Sequence, residues 1–269
     1  MTDRYAVIGN PISHSKSPLI HEAFAKQTNQ DISYEPILAP LDGFEATVKD
    51  LIASGYKGAN VTVPFKFDAY KICDSLSARV VSSGSGAVNT LSIIHGKIHG
   101  DNTDGGGLRN DIEQNLKFPI AGKAILILGA GGAAHGVLNS LTGTKSITIA
   151  NRTSEKALQL VMSISDVDDV HAKMFDELDT PYDLIINATS TGLTDTALPI
   201  PNTIFARGCL AYDMMYGRET PFMKQAIANG AIVADGLGML VEQAAEAFYI
   251  WRGVRPETQS VIQQIRNLA

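Results

Sequence analysis

The chain has 269 residues, 45% of them hydrophobic and 19% charged, with a formal net charge of −6; this suits one large or two modest globular domains and excludes disorder or a fibrous repeat. The acidic balance argues against a nucleic-acid or anionic-membrane partner. No apolar run reaches the roughly 18 residues of a membrane helix, MTDRYAVIGN lacks the apolar core and cleavage site of a secretory signal, and Cys73 and Cys209 have neither metal nor disulfide spacing, so the expected compartment is the cytoplasm.

Short β-rich runs alternate with amphipathic segments from the start. Tyr5 to Ile8, Ile32 to Leu38 and Ala59 to Val63 read as strands, with helices over Ser17 to Asn29 and Phe44 to Ala53. That rhythm predicts βαβ units and a mostly parallel sheet. A helical stretch is expected from Lys66 to Ser82, then strands Val88 to Ile94 and Lys97 to His99 joined as a hairpin at His95-Gly96. From Asp104 the pattern restarts with a helix through Leu116, followed by strands at Ala124 to Leu128, Ser146 to Ala150, Asp183 to Ala188, Leu210 to Asp213 and Ala231 to Ala234. Met239 to Trp251 and Glu257 to Leu268 read as closing helices. The expected fold is therefore α/β in two domains: residues 1–103 with 237–269 form an N-terminal domain, and 104–236 form a second domain. The closing helices return to the first domain after a flexible joint at Gly236-Leu237-Gly238.

The segment AILILGAGGAAHG sets Gly129, Gly131 and Gly132 between an apolar strand and a helix start. Glycines in this context let the backbone turn tightly and approach a pyrophosphate, whose charge meets the free N–H groups of the helix. Ala134 takes the third fingerprint position. The second domain thus reads as a Rossmann-type dinucleotide-binding unit, although a plain glycine-rich turn has the same composition. About 20 residues on, where an NAD-binding domain carries an acid for the ribose hydroxyls, the chain has Asn151-Arg152-Thr153. A guanidinium there suits a 2′-phosphate, so NADP is the expected cofactor. Lys156 lies a turn further on. The six histidines form no ligand pattern, and no metal is expected.

Four strings stand out in the first domain: GNPISHSKSP from Gly9, GANVTVPFK from Gly58, GAVNT from Gly86 and GDNTDG from Gly100. With GAGGA, NRT and the late GLGMLVEQ from Gly236, their number, order and spacing make the chain resemble the shikimate dehydrogenases over nearly its whole length. The resemblance implies reversible NADPH-dependent reduction of 3-dehydroshikimate to shikimate, with Lys66 and Asp104 as the catalytic pair. It also implies that Ser15 and Ser17 bind the substrate carboxylate, and that Thr62, Asn89, Tyr216 and Gln243 contact carboxylate or hydroxyls. Cofactor contacts carried over in the same way are Gly129, Ala130, Gly131, Gly132, Ala133, Asn151, Arg152, Thr153, Lys156, Asn187, Ala188, Thr189, Met214, Gly236 and Met239.

Read without the resemblance, Lys66 is an exposed helix-start lysine and Asp104 an N-cap. Ser17 before Pro18 likewise fits a helix N-cap with proline at the first helical position, and Asn89 can satisfy backbone groups between strands. The chemistry agrees with the resemblance, because a ketone becoming an alkoxide needs a proton donor beside it and an ammonium is one. Ala134-His135 departs from the serine-arginine often found after GAGGA, which removes one phosphate contact. Two other readings stand beside this one: a quinate/shikimate dehydrogenase using NAD, and a non-catalytic sensor of NADP or shikimate. The expected assembly is a monomer or homodimer.

Overall fold

The computed structural model describes residues 2–84, 86–162 and 169–268. The chain divides into two compact units, Met1–Gly107 with Leu240–Ala269, and Leu108–Met239. Each has its own six-stranded sheet.

In unit 1 the strands are β1 (Asp3–Gly9), β2 (Ile32–Leu38), β3 (Gly58–Val61), β4 (Ser75–Leu76), β5 (Thr90–Ile94) and β6 (Lys97–Asp101), ordered β2-β1-β3-β5-β6-β4. β1 runs parallel to both β2 and β3, through crossovers that contain α1 (Ser17–Thr28) and α2 (Phe44–Ala53). β5 and β6 form the expected antiparallel hairpin. His95 and Gly96 both have positive φ, 52° and 75°, the backbone that a two-residue turn needs to follow the strand twist. The sheet core gathers Ala6, Ile8, Val61, Phe65, Val88 and Leu91.

The single helix expected from Lys66 to Ser82 is instead two, α3 (Lys66–Ile72) and α4 (Ala78–Ser83), separated by β4. Asp74 and Ser77 donate backbone N–H groups to Ile98 and Gly100, so pairing with β6 outcompetes helix continuation across Ser75–Leu76. The helix at Asp104 is α5 (Asp104–Asn110), which passes into a π-helical turn at Asp111–Asn115.

Unit 2 contains β7 (Ala124–Leu128), β8 (Ser146–Ala150), β9 (Val170–Lys173), β10 (Tyr182–Asn187), β11 (Phe205–Asp213) and β12 (Ile232–Asp235), all parallel, in the order β12-β11-β10-β7-β8-β9. This is the doubly wound order of dinucleotide-binding domains. β9 has no counterpart among the expected strands, since VHAK is short and carries little apolar periodicity. The helices are α6 (Gly132–Val137), α7 (Ser154–Met162) and α8 (Pro221–Ala228). Ile125, Ile127, Ile147, Ile149, Leu184 and Ile186 fill one core, while Leu126, Leu128, Ile185 and Ala211 fill another. Period-2 alternation thus sends apolar side chains to both faces, which explains why these strands read as unbroken apolar runs.

The last helices are α9 (Leu237–Arg252) and α10 (Gln259–Arg266), and the change from unit 2 to unit 1 falls within α9 at Met239/Leu240. In unit 1 the Trp251 ring stacks on Tyr5 and its Nε1 donates to Leu91 O at 3.1 Å. Only glycine fits beneath it: a Cβ at Gly58 would stand 2.7 Å from Trp251 Nε1.

Candidate active site

Three of the quoted strings converge in unit 1. VPFK starts α3, so Lys66 sits in its first turn, and the Lys66 carbonyl accepts from Val88 N–H at 3.0 Å, tying it to GAVNT. Asp104 begins α5, where its N–H donates to Asn102 Oδ1 at 3.0 Å, while Asn102 Nδ2 donates to Ala87 O. Lys66 Nζ donates to Asp104 Oδ2 at 2.6 Å, and Asn89 Nδ2 donates to Asp104 Oδ1 at 2.8 Å. The lysine side chain is 18% exposed and the aspartate 8%, so the pair is sheltered yet reachable. Each carboxylate oxygen has its own donor, which holds the group in one orientation.

Gln243 on α9 completes the cluster. Its Nε2 donates to Leu240 O at 2.8 Å, which turns Oε1 towards Asn89 Nδ2 and Thr103 Oγ1, 3.4 Å from each. The approach depends on Gly107, where a Cβ would stand 2.7 Å from the Gln243 backbone nitrogen. Ser15 and Ser17 are joined by a hydrogen bond, and Thr62 stands just past the end of β3. Ser17 N–H donates to Ser15 Oγ at 3.3 Å, and Ser17 is buried at the start of α1, where Lys16, not Ser17, is the capping residue. Thr62 follows β3 beneath Gly9, where a Cβ would come 2.5 Å from the Thr62 methyl. Tyr216 belongs to unit 2 and follows β11; burial raises its phenol pKa.

In unit 2 the glycine turn joins β7 to α6 at the point where the strand order reverses, with β8 on one side of β7 and β10 on the other. Such a switch point opens a crevice beyond the carboxyl ends of the strands. Gly129 has φ +101°, and its N–H donates to Ala150 O at 2.7 Å. A Cβ at Gly129 would lie 3.1 Å from the Thr189 methyl and 3.3 Å from Ala188, whereas one at Gly131 would meet nothing within 4 Å. The turn is therefore closed towards the protein and open above Gly131. Ala130 is partly exposed, and Gly132 and Ala133 open α6. Asn151 follows β8 and donates its amide to Thr153 O at 3.0 Å, while Arg152 and Lys156 are exposed.

Asn187 ends β10 and is buried. Its Oδ1 accepts from Thr189 N–H and Oγ1, and its Nδ2 donates to Asp213 Oδ2 at 3.1 Å. Asp213, fully buried at the end of β11, also accepts from Thr220 Oγ1 and Met215 N–H. Ala188 N–H donates to Leu128 O, so this turn packs beside Gly129. Met214 and Gly236 adjoin, since a Cβ at Gly236 would collide with the Met214 carbonyl. Met239 packs into the unit 2 core.

Sequence reading missed Asn60, Thr90, Thr103 and Asp213, all of them buried polar residues hydrogen-bonded around these clusters. The signal was present in the quoted strings, because Asn60 and Thr90 interrupt apolar strand residues and a buried polar group demands a partner. Among the described residues no group of three or more His, Cys, Asp or Glu could hold a metal ion, and no helix is long and apolar enough to cross a membrane.

An α/β unit bearing a sheltered lysine–aspartate pair and a Rossmann-type unit with a glycine-lined switch point define a two-domain dehydrogenase. Family models agree along the chain: the shikimate dehydrogenase substrate binding domain matches residues 7–91, shikimate / quinate 5-dehydrogenase 112–194, and the shikimate 5′-dehydrogenase C-terminal domain 236–266. Shikimate dehydrogenase (NADP(+)) of Methylobacillus flagellatus is 57% identical, covering 98% of this chain and 99% of its own. An Ael1 enzyme from Pseudomonas putida superposes with TM-score 0.91 at 44% identity over 98% of both chains. Shikimate 5-dehydrogenase of Thermus thermophilus, solved with NADP(H) and shikimate, does so with TM-score 0.89 at 30% identity over 100% of both. The chain belongs to the shikimate dehydrogenase family.

Proposed function

We propose that the chain catalyses the reversible NADPH-dependent reduction of 3-dehydroshikimate to shikimate. The observation that carries this is the Lys66–Asp104 pair, 2.6 Å apart and braced by Asn89, in a chain whose full-length relatives are NADP-dependent shikimate dehydrogenases. Unit 1 is the substrate unit and unit 2 the cofactor unit. In the reducing direction Lys66 Nζ donates a proton to the oxygen of the reacting ketone and its charge stabilises the developing alkoxide. Asp104 orients the ammonium and accepts a hydrogen bond from a substrate hydroxyl. Ser15 and Ser17 hold the substrate carboxylate, while Thr62, Asn89 and Gln243 contact its carboxylate or hydroxyls.

The residues of unit 2 fit NADP. The open space above Gly131 lets backbone approach a pyrophosphate, as a Cβ-bearing residue would not. Exposed Arg152 has no ion-pair partner among the described residues, leaving its fork for a 2′-phosphate beside Asn151, Thr153 and Lys156. Asn187, Ala188, Thr189, Met214, Gly236 and Met239 line the nicotinamide side. When bound, the cofactor supplies the hydride. The two cysteines are free thiols, as a reducing cytoplasm would keep them, and burial raises both pKa values, that of Cys73 to about 11, which makes them poor nucleophiles.

Nicotinamide absorbance during turnover of the purified protein tests this, with shikimate and quinate each paired with NADP and NAD. Turnover with shikimate and NADP is expected to dominate. Dominant activity with quinate or NAD would move the chain to the broader-specificity reading, which the shikimate / quinate family match keeps in view. Tight ligand binding with no turnover would make it a sensor.

A further inference from the structure

Asn89 can brace Asp104 only while its amide nitrogen, and not its oxygen, faces the carboxylate. Backbone groups settle which end is which. Thr103 N–H donates to Asn89 Oδ1 at 2.9 Å, so that atom is the carbonyl oxygen. Thr90 Oγ1 lies 2.8 Å from the same oxygen and must be the donor there. The Thr90 oxygen in turn accepts from Asn60 Nδ2 at 3.2 Å, and Asn60 is fixed as donor because its Nδ2 also points at the backbone carbonyl of Asn89, 3.3 Å away. Asn60 Oδ1 then accepts from Tyr34 OH at 2.8 Å.

Every bond in this series runs the same way: Tyr34 to Asn60, Asn60 to Thr90, Thr90 to Asn89, Asn89 to Asp104. Donors aligned head to tail polarise one another, and the effect accumulates at the last acceptor, the carboxylate. The inner members are out of water, with Thr90 0%, Asn89 2% and Asn60 6% exposed, so no solvent molecule replaces a lost link cheaply. Thr90 is the member whose hydroxyl acts as acceptor and donor at once, and that hydroxyl is hydrogen-bonded to neither Lys66 nor Asp104.

We propose that Thr90, held by Asn60 and Tyr34, is a positioning residue for the reaction, acting by locking the Asn89 amide so that its nitrogen faces Asp104. This rests on the assignment of Lys66 and Asp104 as the reacting pair. Thr90→Val keeps the shape and removes the hydroxyl. Thr103 N–H still holds Asn89 Oδ1, so the expected loss is that of one buried hydrogen bond, roughly 3- to 10-fold in kcat, with KM for shikimate changed less.

Two further variants separate positioning from mere folding. Thr90→Ser restores kcat to within about 2-fold of wild type, because the hydroxyl returns. Thr90→Val added to Asn89→Ala lowers kcat by less than about 2-fold beyond Asn89→Ala alone, because the residue through which it acts is gone. An unchanged kcat in Thr90→Val, a Ser variant as poor as Val, or full additivity with Asn89→Ala each overturns the proposal. Wild-type turnover of shikimate is the control for the functional assignment itself. If that control fails, the labelling rate of Lys66 by trinitrobenzenesulfonate, read by mass spectrometry on the intact protein, still decides: faster labelling in Thr90→Val supports the lock and an unchanged rate overturns it.

Discussion

Lys66 Nζ and Asp104 Oδ2 meet at 2.6 Å although 38 positions separate them in the chain. The contact exists because α3 and α5 both begin at this place, α3 anchored to GAVNT by the backbone bond from Val88 N–H to Lys66 O and α5 anchored by Asp104 N–H donating to the Asn102 side chain. Replacing Lys66 with Ala should lower kcat by about 10²-fold or more while KM for shikimate moves comparatively little, as expected when a proton donor is lost but binding groups remain. Steady-state kinetics check this, and an unaffected kcat would remove Lys66 from the chemistry.

Arg152→Ala should raise KM for NADP far more than for NAD, because only NADP has a 2′-phosphate to lose a charge-assisted contact. The exposed guanidinium makes a stability effect small. Equal changes for the two cofactors would show that Arg152 does not read the phosphate.

Gly131→Ala and Gly238→Ala should differ in kind. A Cβ at Gly131, with φ −97°, meets only open space, so Tm should hold while KM for NADP rises. A Cβ at Gly238 would collide with the buried Asp111 carboxylate, which also accepts from Tyr212 OH at 2.7 Å. Overpacking there should cost about 1–3 kcal/mol and lower Tm by several degrees in thermal denaturation. Matching Tm losses in the two variants would contradict this contrast.

His21 should make stability fall in acid. Its ring is fully buried, stacked 4.0 Å from Tyr34, and burial, only partly offset by the Asn60 side chain, pushes its pKa down to about 3. The unfolded chain, near 6.5, therefore binds the extra proton, and stability is lost progressively as pH drops from about 6.5 towards 3. Urea unfolding of wild type and His21→Phe at pH 7 and pH 5 should show wild type losing about 2 kcal/mol more across that interval. Parallel losses would mean that the ring titrates normally.

Much of the architecture was legible because it is written locally. AILIL, SITIA and DLIIN announce strands through apolar character, and GAGGA announces the turn because only glycine takes φ +101° against Ala188 at Gly129. His95-Gly96 declared the hairpin for the same reason. What local pattern hid were β4 and β9, two short strands formed by edge pairing, and the interruption of the helix after Lys66.

The site divides in the same way. The sequence by itself determined which residue types could do the chemistry: a lysine opening one helix, an aspartate opening another, an amide between strands, and an arginine in place of an acid after β8. The strings also held Asn60 and Thr90 without showing what they were for. Only the tertiary structure decided that Asn60, Thr90, Asn89 and Asp104 form one series of hydrogen bonds, and that Gly107 is the opening through which Gln243 reaches it. Side-chain hydrogen bonds require atoms to come within about 3 Å at defined angles, and residues on separate strands and helices achieve that only once sheet register and helix packing are in place.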